Sequence, residues 1–519
     1  MSIEAIWLLI LVISLLASIM SGMPVMLAIS GVPILIGFIA SGFGHFDLSF
    51  FSAIPQRIFG VMNNSLLIAV PLFVLMGVLL ERSKIAERML LIMASFFGGS
   101  RSGLAYSVLI VSTLIAASTG IIGATIVMLG MISLPALLKS GVSVRLSSGL
   151  ICASGTLGQI IPPSIVLILL GDQISNAYIE AQQNIGNFAP DPVSVGDLFA
   201  GAVIPGLLLV VMYAAYVFIH NLYIDSAPQK TERAQAVATV SLQEILTVFL
   251  PPILLILSVL GSILLGVATP TEAAAVGVAG TLLIAGASCD GAAHMSKWLI
   301  LLGAIAMFVL VALISFDALI INYKHWQGLI ALSLCAVFVC ALIIATTLLI
   351  KEKVLNSAIS QSVSVSGMVF AIIIAASMLS LVFRGFEGDE IVAQLLADIP
   401  GDKWGALFAV MLVIFLLGFV LEFVEIMFIV IPLVGPVILA MDFNPIWFGV
   451  MIAINLQTSF LTPPFGFALF YFRSVAPAYI STLDIYKSVL PFVLIQILAM
   501  AVLVAFPGLV TWLPNLVFE

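Results

Sequence analysis

Ala153-Ser154-Gly155-Thr156-Leu157-Gly158-Gln159-Ile160-Ile161-Pro162-Pro163-Ser164 interrupts a stretch, 146 to 171, that is otherwise long and apolar enough to cross a bilayer. Two prolines, two glycines and several polar side chains at that depth predict that the helix unwinds there. A proline in a helix interior removes a backbone donor, clashes with the preceding turn and costs about 3 kcal/mol or more. Carbonyls freed in hydrocarbon add a further penalty for each one left unbonded. Carbonyl and hydroxyl oxygens suit a hard cation such as Na⁺, and the exposed N-terminus of a half-helix after Pro163 suits an anionic group. The plain alternative is that small and hydroxyl residues let helices pack and prolines only kink them. The signature returns in Asn455-Leu456-Gln457-Thr458-Ser459-Phe460-Leu461-Thr462-Pro463-Pro464, polar at the same place. Pro135, Pro162 and Pro163 match Pro436, Pro463 and Pro464 at one constant offset of 301 residues, without a gap.

The whole composition agrees with a chain that lives in lipid. Of 519 residues 63% are apolar and 8% charged, against about a quarter charged in soluble domains. Charges that sparse cannot give every helix a water-facing side. The apolar runs are continuous and do not alternate with period two, which excludes an outer-membrane barrel. The class is an all-α polytopic membrane protein, and its first partner is the lipid bilayer. A net charge of -8 without a basic block points to no nucleic acid. Cys152, Cys289, Cys335 and Cys340 lie within or at the ends of apolar segments and read as packing residues, not as a disulfide framework or a zinc site. Met1-Ser2-Ile3-Glu4 lacks a cationic leader region, so the first helix is expected to be retained.

Spans are expected near 5 to 22, 24 to 42, 65 to 81, 146 to 171, 198 to 222, 245 to 266, 272 to 287, 298 to 320, 327 to 350, 358 to 383, 446 to 472 and 489 to 515. Two further regions, 102 to 139 and 404 to 441, are too long for one span and carry a polar interruption, Ser118-Thr119-Gly120 in one and Glu422 with Glu425 in the other. Each is either two crossing helices or one hairpin that enters halfway and returns. The uncharged tip of the first favours the hairpin. Lys and Arg favour the cytoplasmic side. The threading that puts both chain termini outside, the first hairpin opening inward and the second outward leaves 13 of the 17 cations inside. Residues 172 to 196, with Asp172, Glu180 and Asp191, are then an outer stretch.

Counted this way, each half reads three spans, a hairpin, a broken span and another span, with 298 to 350 as an inserted pair. The halves start on opposite sides of the bilayer and are inverted repeats, about 12 transmembrane helices plus two re-entrant hairpins, an arrangement that places a site at the midplane. Amphipathic stretches near 84 to 97 and 388 to 399 precede the hairpins and suit the membrane surface. The division expected is scaffold helices and an arm in 1–101, a first moving half in 102–224, scaffold with the insertion and second arm in 245–400, and a second moving half in 404–519.

Charge at mid-bilayer needs a reason, because even the lenient insertion scale charges about 2.5 to 3.5 kcal/mol for it. For Glu422 and Glu425 the readings are cation ligation, proton coupling, or a side chain that reaches a water-filled vestibule. For Ser118, Thr119 and Gly120 they are ligation or a tight turn. Thr269-Pro270-Thr271-Glu272 reads as a capping box that starts a span, and Asp317 as an outer residue reaching water. No HExxH, GxSxG or paired Cys/His spacing occurs, so a membrane enzyme has no visible catalytic set.

Four motifs in order resemble the large membrane subunit of TRAP transporters, the DctM-like permeases: Pro71-Leu72-Phe73-Val74-Leu75-Met76-Gly77; Ala153 through Gly158 with Pro162-Pro163-Ser164; Thr269-Pro270-Thr271-Glu272-Ala273-Ala274-Ala275; and Asn455-Leu456-Gln457-Thr458 through Leu461-Thr462-Pro463-Pro464-Phe465-Gly466. The likeness covers nearly everything but 288 to 353. It implies an elevator-type carrier for Na⁺-coupled uptake of a small organic acid, often a dicarboxylate or sialic acid, across a bacterial or archaeal inner membrane. It implies as partners a small four-span membrane subunit, here a separate chain, and a periplasmic substrate-binding protein. It carries sodium ligation over to Ser118, Thr119, Gly120, Ser154, Gly155 and Thr156, and to Glu422, Asn455, Gln457, Thr458 and Thr462. Many members have Asp where this chain has Glu422. Substrate contact is expected at Ser154, Pro163, Ser164, Gln457 and Pro464. The rival readings are a carboxylate symporter of the same architecture that needs no binding protein, and a membrane enzyme or scaffold without transport.

Overall fold

The long apolar runs bury only part of their surface against each other and leave large side chains such as Leu35, Phe38, Val211, Leu332 and Leu494 exposed, as helices in hydrocarbon do. The computed structural model describes residues 2–83, 85–96, 101–120, 122–223, 242–289, 294–315 and 326–518. Every regular element among them is helical, and eleven are single helices long and apolar enough to cross a membrane. Local chemistry sets the ends. The Thr269 side chain accepts from Glu272 N while Glu272 accepts from Thr269 N at 2.8 Å, so Thr269-Pro270-Thr271-Glu272 is the capping box the spacing predicts. Ser481 and Asp484 do the same for Thr482–Ala505.

Both expected breaks are present. Val144–Thr156 runs into a 3₁₀ turn at Leu157–Gln159, loses helical form up to Ser164 and restarts as Ile165–Asn184. Pro445–Leu461 stops at Thr462 and restarts as Phe467–Val475. The two hairpins are Arg101–Thr119 with Ile122–Lys139, and Asp402–Leu417 with a second limb, Phe423–Ile429 and Ile431–Ala440, bent by 58°. Pro432 explains that bend, since it has no N–H for the carbonyl one turn back. The first tip turns at Gly120, whose φ of +60° side chains rarely adopt.

Helices that start at 101, 122 and 144 start again at 402, 423 and 445, each 301 residues later. The equivalent residues Thr156 and Gln457 touch, Gln457 Nε2 donating to Thr156 Oγ1 at 3.2 Å. A residue can meet its own counterpart only close to the axis that relates the repeats, so that axis passes between the breaks. The surface stretches are the helices Ile85–Phe96 and Gly388–Ala397, the latter turned 120° from the hairpin limb that follows. The inserted helices His294–Ser315 and Trp326–Lys351 pack on Pro270–Ala287 around a small core of their own, Leu283, Ile300, Met307, Ala341 and Ala345.

Two expectations need correction, the length of the last span and the packing of two cysteines. Residues 172 to 184 of the stretch expected outside continue the helix Ile165–Asn184, where the amides of Asn64 and Gln173 each donate to the buried Asp172 at 3.0 Å. The last span ends at Ala505, where Pro507 forces a break before a separate helix, Gly508–Phe518. Between the second and third spans, residues 48 to 63 form a 3₁₀ turn and the short amphipathic helix Ile54–Asn63. Cys152 and Cys289 are buried as packing residues, but Cys335 and Cys340 are exposed on the outer face of the inserted helix. Asp317 lies outside the described residues.

Candidate functional site

Each hairpin tip meets the break in its own repeat. A side chain on Gly158 would sit 3.1 Å from the Ala116 carbonyl of the first hairpin, and one on Gly120 would sit 3.2 Å from the Ile165 amide nitrogen. Both distances are tighter than ordinary contact, so the two glycines ease the close approach of these backbones. In the second repeat polar side chains make the join. Asn455 Nδ2 donates to the Met411 carbonyl at 2.7 Å and Ser459 Oγ to the Phe415 carbonyl at 2.6 Å. The two pairs lie one helical turn apart, so the broken helix is fastened along the hairpin limb like two successive rungs.

The expected cation ligands fall into this region. Ser154, Thr156, Gln457 and Thr458 are fully buried and Asn455 nearly so. Their hydroxyls are oriented, not loose: Thr156 Oγ1 donates to the Ala153 carbonyl, Thr458 Oγ1 to Ile454 and Thr462 Oγ1 to Thr458, at 2.7 to 2.8 Å. With its proton committed, each oxygen keeps a lone pair for a positive partner. Gln457 Oε1 has no hydrogen-bond partner, and neither polar atom of the Gln159 amide has one. Buried neutral oxygens of this kind suit a hard monovalent cation better than a soft metal, and among the described residues no three His, Cys, Asp or Glu side chains converge. The donor set therefore fits Na⁺. The side chains of Ser118 and Thr119 lie outside the described structure, and only the backbone at Gly120 can be placed beside the first break.

Glu425 serves the fold, since its carboxylate accepts from the Glu422 amide at 2.9 Å and caps the second limb of the hairpin. Glu422 shares that capping box, its side chain facing the Glu425 amide, and also lines a cavity of about 520 Å³. Gly120 and Glu422 bring both tips to its wall, Ile165, Phe460 and Phe467 bring both breaks, and Gln361 with Glu81 closes the far side. Ser154, Pro163, Ser164 and Gln457, expected to touch substrate, are buried and do not line this cavity, and Ser164 Oγ donates to the Gln159 carbonyl. Pro464 points to the exterior, where its carbonyl accepts from Tyr486. Sequence reasoning passed over Glu81, Gln361 and Tyr471; a carboxylate one residue before Arg82 at a span end was the one available signal.

A second cavity, about 320 Å³, lies along the same two helices. Ser65–Arg82 gives Leu67 to this one and Val74 with Glu81 to the first; Val354–Gly385 gives residues 373 to 384 to this one and 361 to 369 to the first. Gln361 and Arg384 stand about 34 Å apart along that helix at 1.5 Å per residue, so the cavities occupy its opposite ends.

Paired breaks, hairpin tips that meet them and cavities at both ends of one helix pair define a secondary transporter rather than an enzyme. The chain belongs to the family of the DctM component of tripartite ATP-independent periplasmic transporters, whose model matches residues 12–328 and 328–509. It is 27% identical to the C4-dicarboxylate TRAP transporter large permease protein DctM of Vibrio cholerae, over 91% of this chain and 90% of that one. It is 25% identical to the ectoine large permease TeaC of Halomonas elongata, over 98% and 99%, and 26% identical to the sialic acid large permease SiaM of Vibrio cholerae, over 89% of each. Among solved structures, the Alcanivorax borkumensis YdaH transporter aligns with a TM-score of 0.49 at 12% identity over 90% of this chain and 88% of that one.

Proposed function

We propose that this chain carries a small organic acid into the cell by Na⁺-coupled symport across the bacterial inner membrane, receiving it from a periplasmic binding protein and working with a separate small membrane subunit. One observation carries the reading: both hairpin tips and both broken helices converge on a single cavity, and a second cavity lies at the other end of the same two helices. Relatives whose names give C4-dicarboxylate and sialic acid as substrates support an acid.

In this account Ser65–Arg82 and Val354–Gly385 belong to the stationary scaffold, and the hairpins with the broken helices form the body that slides along them. The end bearing Arg82, Lys351 and Lys353 is cytoplasmic by the positive-inside rule, so the cavity of both tips opens inward. Ser154, Gly155 and Thr156 with Gly120 hold one cation; Asn455, Gln457, Thr458 and Thr462 with Glu422 hold the other. The Na⁺ ions supply positive charge beside the acid and couple its movement to the membrane potential. Each elementary charge entering gains about 2.3 kcal/mol per 100 mV, so two in excess of the substrate's charge sustain roughly a thousandfold gradient or more.

Proteoliposomes given labelled mono- and dicarboxylates, with and without the cognate binding protein, test this. Uptake that requires the loaded binding protein supports the reading. Equal uptake without it shows a symporter that works alone, and no flux of any acid under any gradient removes the transport reading.

A further inference from the structure

The second cavity gathers charged side chains from both the scaffold and the moving body. Its polar wall comes from the short helix Ile54–Asn63 with Asn64 after it, the scaffold helix Val354–Gly385 and the half-helix Ile165–Asn184 that follows the first break, while Leu67 and, from the returning limb of the second hairpin, Phe428 and Pro432 add apolar sides. Two carboxylates on that half-helix are held by the scaffold. Asn64 Nδ2 binds Asp172, which Gln173 also caps, and Arg384 Nη2 reaches both oxygens of Glu180 at 2.7 Å. Asp389 stands 3.5 Å from Nε of the same arginine. The remaining cation of the wall, Arg57, has neither an ion pair nor a hydrogen bond among the described residues, although it faces Arg384 and Glu180. Asn176, Ser377 and Ser380 line the space beside it.

We propose that this cavity is a landing site for the carboxylate of an incoming acid, which binds Arg57 first and then displaces Glu180 from Arg384. The inference rests on the organic-acid reading above. Arg57 provides an open guanidinium and Arg384 one whose present partner is an internal carboxylate, so a small acid meets two forked donors across one cavity. Glu180 is the element of the moving body that the scaffold grips by charge. An acid that takes its place on Arg384 releases that grip, so arrival of cargo at the outer face frees the body to leave the inward-open arrangement. Asp172 does not take part, because both of its oxygens are already satisfied by amides.

The test uses detergent-solubilised protein with Cys335 and Cys340 replaced by Ser and a reporter introduced by Ser377→Cys. The labelling rate by an anionic methanethiosulfonate is read with and without millimolar malonate or succinate. The proposal predicts that these acids slow labelling, that Arg57→Gln removes the protection, that Arg57→Lys restores part of it, and that Glu180→Gln strengthens it by freeing Arg384. In proteoliposomes Arg57→Gln raises KM about tenfold, the worth of one hydrogen bond to a charged group, with the maximal rate kept. Protection that is absent, or that survives Arg57→Gln, overturns the site. Acid uptake with an unchanged KM in Arg57→Gln also overturns it while leaving the transport reading intact. Arg57-dependent protection in a protein that moves no acid would keep the site and sink the transport reading.

Discussion

Replacing Gln457 by Met separates a structural glutamine from one that serves a cation. The swap keeps length and flexibility and removes the hydrogen bond from Gln457 Nε2 to Thr156 Oγ1 at 3.2 Å, together with the polar contact of the same amide with the Tyr213 hydroxyl, which Gln496 Nε2 still serves at 2.8 Å. That loss costs about 0.5–1.5 kcal/mol. Thr156 keeps its own bond to Ala153, so no donor is stranded. The swap also removes Gln457 Oε1, a fully buried carbonyl without a partner, which by itself costs the fold about 1–3 kcal/mol. Without sodium the variant is therefore as stable as the parent or about 1 kcal/mol more stable. With Na⁺ at a hundred times its dissociation constant the parent gains about 2.7 kcal/mol, and the variant gains much less because a ligand is gone. The assay is thermal unfolding in detergent, in choline chloride and in sodium chloride. The reasoning fails if Gln457→Met is clearly destabilised in choline yet retains the parent's full sodium shift.

Four other substitutions follow from the surroundings of single residues. Asn455→Leu unfastens the second break from the Met411 carbonyl, so uptake is abolished while membrane insertion stays normal; sodium-dependent uptake at the parent's rate would refute the assignment. Gly158→Val drives a branched side chain into the Ala116 carbonyl and should eliminate transport, whereas Gly261→Ala, which meets nothing within 4 Å in a helix interior, stabilises by about 0.5–1 kcal/mol with transport unchanged. Thr269→Ala removes the capping box and lowers stability by about 0.5–2 kcal/mol; full uptake at permissive temperature confirms a purely structural role, and a transport defect without a stability loss contradicts it.

The interrupted spans were legible because prolines and polar residues in hydrocarbon are costly wherever they occur, so Pro162-Pro163 and Pro463-Pro464 announce the breaks by themselves. The hairpin limbs followed from length together with the polar interruption at the middle of each region. What stayed hidden depends on which side chain turns toward which neighbour. Glu425 looked like mid-membrane chemistry, yet it lies three residues after the N-cap Glu422 and spends its carboxylate on that amide. The hydroxyl of Ser164, a residue expected to contact substrate, donates to the Gln159 carbonyl, and its neighbour Ile165 is the one that lines the cavity. Arg384 and Glu180 are separated by 204 residues and belong to no motif. Their pairing exists only because two helices pack, and a single sequence carries no mark of it.

Transport itself gives the most direct test of the central claim. Liposomes reconstituted with this chain, its small subunit and the loaded binding protein should accumulate the labelled acid above equilibrium when sodium is high outside and low inside, and collapse to simple equilibration when sodium is equal on both sides. Accumulation of equal extent with choline in place of sodium would contradict the account.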